Sequence, residues 1–149
     1  MKRILLSLPL IATTLLAGCS NGDSQIGKRV DTLCGEKPNC VSTLETRPDF
    51  AIAQYQLTVA GQNDWQQIAQ LALSLPGAQL GQKSDNYLRV ECVSRVFQFV
   101  DDFEVAQQGS TLIVRSESRT GYSDFGVNRE RADLFRQKLI DAKLITTNP

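Results

Sequence analysis

The sequence predicts an α+β fold of two layers. An antiparallel sheet of four to five strands carries one internal helix and a C-terminal helix, both packed on the same face. Three observations predict it. A strand-like alternation near residue 55 is followed at once by a helical period. The middle of the chain is rich in strand formers and cut by tight-turn pairs, which favour antiparallel pairing. A second helical period closes the chain.

Taken in order, residues 51–59 alternate, with Tyr55, Leu57 and Val59 on one side and Gln54, Gln56 and Thr58 on the other. That is the pattern of a half-buried strand. Asn63 or Asp64 then caps a helix whose apolar face is Trp65, Ile68, Ala72 and Leu75, spaced by three and four. Pro76-Gly77 ends it. A strand-rich block covers about 79–119, with turns expected at Asp85-Asn86, Asp101-Asp102 and Gln108-Gly109. Residues 129–143 place Ala132, Phe135, Leu139 and Ala142 on one helical face, with Asn128 as the expected N-cap.

The N-terminus predicts an address. Lys2 and Arg3 precede an apolar run over 4–15, and Leu16-Ala17-Gly18-Cys19 forms the box read by lipoprotein signal peptidase. An ordinary secretory peptide with a chance cysteine is the plainer alternative. Residues 1–18 are therefore expected as signal peptide, Cys19 as the acylated residue, 19–33 as a flexible tether and 34–149 as a single globular domain. A tether of that length spans roughly 20 Å on average. No apolar run after Cys19 reaches the roughly 20 residues of a spanning helix, so attachment would rest on lipid. Ser20 stands where an aspartate would favour the inner membrane. The expected location is the bacterial cell envelope, on the outer membrane facing the periplasm.

Removing eighteen residues from the 149 leaves 131, enough for one domain. Hydrophobic residues make up 42% and charged ones 21%, the balance of a packed protein. Without Lys2 and Arg3, 14 basic side chains face 16 acidic ones, which gives no basic footprint for nucleic acid. Cys34 and Cys40 flank a turn-rich segment and are expected to pair in an oxidising compartment. A loop so short contributes about 2 kcal/mol in the chain-entropy model. Zinc is the competing reading, but histidine is absent and a second close cysteine pair is missing. Cys92 lies in a strand-like run and reads as a small buried hydrophobe.

The densest polar cluster is RSESRTGYSDFGVNRER over 115–131. The two-residue period puts Arg89, Glu91 and Arg95 on one face of a strand, and Arg115, Glu117 and Arg119 on one face of another. Paired, they would form a ladder of opposite charges, each pair worth about 0.2–1 kcal/mol. A solvated outer face is one reading of that ladder. An arginine-lined groove for a carboxylate or phosphate is the other. In loop 120–127, Gly121 and Gly126 permit tight turns before the helix opened by Asn128. Arg129 and Arg131 oppose the helix dipole there, so Asp124 or a bound anion would offset them.

Pro38-Asn39-Cys40-Val41-Ser42, Asp101-Asp102-Phe103-Glu104, and 115–129 with its Ser118-Arg119, Gly121-Tyr122-Ser123-Asp124 and Gly126-Val127-Asn128-Arg129 resemble the domain-of-unknown-function family 1499. The resemblance spans about 34–139. Similar proteins are bacterial envelope proteins, some lipidated and some fused to membrane helices, with plastid relatives. The spacing of Cys34 and Cys40 looks like the family's, which supports their pairing, and Ser42-Thr43 departs mildly from its Ser-Ser. The resemblance implies no activity, substrate, cofactor or catalytic residue.

With no histidine, Ser-His and Cys-His catalysis are excluded, and carboxylate chemistry through Asp101, Asp102 and Asp124 is what remains. No catalytic residue, metal ligand or cofactor is assigned. The expected role is a non-enzymatic interaction module that docks on an envelope component. The alternative is a binding module for an anionic or lipid-like small ligand. There Arg95, Arg115, Arg119, Tyr122, Asp124, Asn128 and Arg129 would form the site, and Phe97, Phe99 and Phe103 an apolar pocket. A closed core with an exposed apolar patch would favour docking. A pocket with convergent arginines would favour the ligand.

Overall fold

The computed structural model describes residues 27–147. The signal peptide over 1–18, the acylation at Cys19 and the tether up to residue 26 lie outside the described residues.

The elements run β1 (Cys40–Ser42), β2 (Tyr55–Gln56), α1 (Val59–Asn63), α2 (Trp65–Leu73), β3 (Ala78–Lys83), β4 (Tyr87–Val93), β5 (Val100–Gln108), β6 (Thr111–Ser118) and α3 (Val127–Asp141). The sheet is antiparallel in the order β1-β6-β5-β4-β3, and β2 pairs with the other end of β6, making six strands rather than four to five. Of the two short strands, β2 falls within the alternating 51–59 segment, whereas the three residues of β1 are too few for a period to mark.

One face of the sheet supplies Leu88, Val90, Cys92, Phe103, Val105, Leu112 and Val114 to the main core. Against them pack Ile68, Ala69 and Ala72 from α2 and Ala132, Phe135 and Leu139 from α3. The predicted apolar faces of both helices are thus the buried ones. Phe135 stands edge-on to Phe103 at 5.2 Å, and the Tyr55 hydroxyl donates to the Ala132 carbonyl at 2.8 Å. Asp64 caps α2 by accepting from the Gln67 amide at 2.9 Å. Past its end, Gly77 takes φ +71, and a Cβ there would collide with the Val93 carbonyl, so the helix-to-strand turn requires glycine.

Four expectations are corrected. Of the alternating 51–59 segment only Tyr55–Gln56 pairs as a strand, because the Thr58 hydroxyl accepts from the Gly61 amide and starts α1. Val59 is therefore exposed rather than buried. Asp101-Asp102 is not a turn. Both residues lie inside β5 and are buried, and the chain reverses at 94–99, where Ser94 and Phe99 exchange backbone and hydroxyl bonds. Arg95 accordingly sits in that turn, off the strand face it was expected to share with Arg89. Finally, the tether stops short of residue 33: Val30 is fully buried among Tyr87, Ala106 and Ile113, on the face opposite the helices.

Candidate functional site

The charged ladder exists, but its register differs from simple alternation. Arg89, Glu104 and Arg115 lie abreast across β4, β5 and β6, as do Glu91, Asp102 and Glu117. The second row therefore sets three carboxylates side by side, a destabilising arrangement unless cations intervene. Two do. Arg119, just past β6, bridges Glu91 (2.5 Å) and Asp102 (2.8 Å). Arg29, from the segment the sequence assigns to the tether, bridges Asp102 (3.2 Å) and Glu117 (2.5 Å).

Residues 28–30 thus strap the charged face. The Arg29 amide donates to Glu104 Oε1 at 2.9 Å, and the same oxygen accepts from the Tyr87 hydroxyl at 2.5 Å. Arg89, Asp102, Glu104 and Arg115 are all buried under this cover, so the face is not the solvated ladder expected from the sequence. Asp102 and Glu91 hold the Arg119 guanidinium above its ordinary pKa, and burial with Glu104 nearby does the same to Tyr87. Sequence reasoning missed Arg29, because a lone arginine in a polar stretch carries no period.

The loop after β6 forms a clasp. Asp124 accepts from the amides of Gly126 (3.0 Å) and Asn128 (2.9 Å) and from Asn128 Nδ2 (2.7 Å). Asn128 is consequently the second residue of α3, not its cap; Asp124 does the capping from two residues before Gly126. Fully buried, Asn128 also donates to the Asn39 carbonyl at 3.0 Å and accepts from the Ser116 hydroxyl at 2.6 Å. It ties β1, β6 and α3 together. Arg131 pairs with Asp101 at 2.6 Å, and Arg129 donates to the carbonyls of Ala51 and Asp49. Neither arginine is paired with Asp124, because Asp124 is occupied by the helix amides.

The residues named from sequence therefore separate into three groups. Arg115 and Arg119 belong to the ladder, where Arg115 meets Glu117 at 2.8 Å. Asp124, Asn128 and Arg129 belong to the clasp. Arg95 and Tyr122 are exposed at the end of the sheet where β4 gives way to β5. Asp101, Asp102 and Asp124 do not converge, since each has its own arginine or amide partners. The expected apolar pocket does not form: Phe103 is in the main core, whereas Phe97 and Phe99 stand exposed with their rings 5.6 Å apart.

A groove of about 710 Å³ opens between Gly27 and Arg29 on one wall and Gly35, Lys37 and Asn39 on another, with Glu117, Ser118 and Arg119 beneath. Both arginines that line it are already held, Arg29 by Asp102 and Glu117 and Arg119 by Glu91 and Asp102. Beside it, Cys34 and Cys40 form the expected disulfide, with Cα atoms 5.7 Å apart. Glu45 holds the start of that loop, accepting from the Cys34 amide at 2.7 Å and from Arg47 at 2.6 Å. The bond from Arg47 keeps the Glu45 carboxyl below its ordinary pKa. Cys92 is free and buried, and burial pushes its thiol up to about 11. Among the described residues no helix is long and apolar enough to cross a membrane, and no group of three or more His, Cys, Asp or Glu side chains is placed so that it could hold a metal ion.

Comparison with curated proteins and with solved structures returns no match. A family model described as "Protein of unknown function (DUF1499)" matches residues 32–139. That stretch holds the disulfide, the whole sheet, the clasp and most of α3. It covers most of the chain, and the chain belongs to the DUF1499 family.

Proposed function

We propose that the chain is a lipid-anchored lipoprotein of the bacterial cell envelope, working as a non-enzymatic interaction module that docks on an envelope component. Leu16-Ala17-Gly18-Cys19 behind an apolar run supports the anchor, and Ser20 supports the outer membrane facing the periplasm. The observation that carries docking is one of distribution. The core is closed and the arginines of the ladder are neutralised by the chain's own carboxylates, while Val96, Phe97, Phe99, Tyr122 and Phe125 are exposed. Leu33, Val59 and Leu80 are exposed elsewhere on the surface, but the exposed aromatic rings Phe97, Phe99, Tyr122 and Phe125 all lie at this end of the sheet, and a concentration of that kind marks an interaction site.

The alternative, an anionic or lipid-like small ligand in the arginine-lined groove, has less support. A guanidinium fork already engaged by two carboxylates offers little to a third. Two measurements test the docking reading. Cys19→Ala should release the protein from the membrane fraction; unchanged fractionation would remove the anchor. Photoreactive residues at positions 97 and 125 should give adducts in living cells that position 82 does not. No adduct at either position would remove the docking.

A further inference from the structure

We infer that the envelope component met by the aromatic end of the sheet is the phospholipid bilayer itself, the one that holds Cys19. This rests on the docking reading above and names its partner.

Topology places two groups of apolar residues at one end of the sheet, one over β4 and β5 and the other beside β1 and β6. β4 ends at Val93 and β5 begins at Val100, so the 94–99 turn leaves the sheet at that end, and β6 ends there too, at Ser118. The Arg119 amide donates to the Val100 carbonyl at 3.1 Å, joining the start of β5, just past the turn, to loop 119–126. Val96, Phe97 and Phe99 project from the turn and Tyr122 and Phe125 from the loop. Phe125 is 94% exposed at φ +55, a backbone conformation uncommon for a bulky residue. The loop holds this ring out at a conformational cost. Arg95, in the same turn, makes no ion pair among the described residues. Aromatic and aliphatic side chains beside a cation are the mixture that rests at the headgroup–acyl boundary.

The exit of the chain selects the bilayer over a protein partner. Gly27 lines the same groove as Ser118 and Arg119, so the chain leaves the domain beside the C-terminal end of β6. Between Cys19 and Gly27 lie eight peptide steps, at most about 29 Å fully extended. A domain of this size is on the order of 35 Å across. So short a tether keeps the end that carries Gly27 within about 29 Å of the anchoring bilayer, and so holds the exposed rings beside it at high local concentration over that surface. With 14 basic against 16 acidic side chains in the mature chain, attraction of the whole domain to anionic lipid is absent, and ring insertion leads.

The test uses the acylated full-length mature chain in vesicles of phosphatidylethanolamine and phosphatidylglycerol with brominated acyl chains. The chain has one tryptophan, Trp65, whose indole bonds to Ser84 at the opposite end of the sheet, and it serves as the built-in comparator. In a Trp65→Phe background, Phe125→Trp and, separately, Phe97→Trp should be quenched several-fold more than native Trp65, with little change on adding salt. Both substitutions fall at exposed positions and should leave the fold undisturbed, which an unchanged thermal unfolding midpoint checks. If the chain floats with the vesicles but neither position is quenched beyond Trp65, bilayer docking is overturned, the anchor stands, and a protein becomes the occupant. If the N-terminal peptide carries no acyl mass, the anchor reading falls and the bilayer inference falls with it.

Discussion

Asp102 and Arg119 meet in a two-pronged pair, Asp102 Oδ2 accepting from Arg119 Nε at 2.9 Å and Oδ1 from Nη2 at 2.8 Å. Asp102 is the middle carboxylate of a row of three, and its side chain has no exposure at all. The pair is therefore not decoration on a polar face; it is what permits the register. Arg29 performs the same service on the other side of Asp102, which makes the strap at 28–30 part of the sheet's electrostatics.

Removing the shared carboxylate should be costly. Asp102→Ala leaves Arg119 and Arg29 without their shared carboxylate. Both arginines are partly exposed and keep Glu91 and Glu117, so the cost should fall below the roughly 3–5 kcal/mol of breaking a fully buried pair. Urea unfolding should show that loss. Asp102→Ala combined with Arg119→Ala should lose less than the sum of the two single changes, because the double variant leaves no orphaned partner in their pair. Additive losses would mean the two side chains are not coupled.

The clasp makes a second prediction. Asn128 satisfies groups on three elements at once, so Asn128→Ala leaves the Asn39 carbonyl and the Ser116 hydroxyl without it. An expected cost of about 1–3 kcal/mol follows from the buried unpaired groups. Asp124→Ala loses the cap of α3 and should cost about 1 kcal/mol. Thermal unfolding that ranked Asp124→Ala above Asn128→Ala would overturn the assignment of Asn128 as the joint.

The helix faces, the Asp64 cap and the β3–β4 and β5–β6 turns were legible, because each is written locally as a period or a turn pair. The Cys34–Cys40 bond was legible from its spacing and the family resemblance. The reading of Asp101-Asp102 as a turn failed because the partners that permit their burial, Arg131, Arg119 and Arg29, lie up to 73 positions away. Sequence pattern marks residues that suit a turn; it does not mark a distant arginine that makes burial tolerable. The same blindness hid the role of Arg29 and made Phe97 and Phe99 look like pocket residues.

Cysteine chemistry gives a third prediction. Non-reducing peptide mapping should join Cys34 to Cys40 and leave Cys92 free. A thiol pushed up to about 11 by burial is almost wholly protonated at neutral pH, so iodoacetamide should label Cys92 only after unfolding. Reducing the Cys34–Cys40 bond should cost about 2 kcal/mol. Rapid labelling of Cys92 in the native protein would place it outside the core.

The last prediction concerns acid. Glu45 receives the Cys34 amide and the Arg47 guanidinium, and the bond from Arg47 sets its carboxyl below the ordinary value. A carboxyl with a depressed native pKa binds its proton more readily in the unfolded chain, where its value is about 4.3. Its contribution to stability is therefore complete above that pH and is lost as pH falls through the lower native value. Glu45→Gln should be less stable than the parent at pH 7, with the gap closing in the acid range below about pH 4. Denaturant midpoints measured for both proteins across pH 2–7 read this directly. A gap that stayed constant over the whole range would mean that the Glu45 charge contributes nothing, and that its hold on the disulfide loop comes from the neutral hydrogen bond to Cys34 alone.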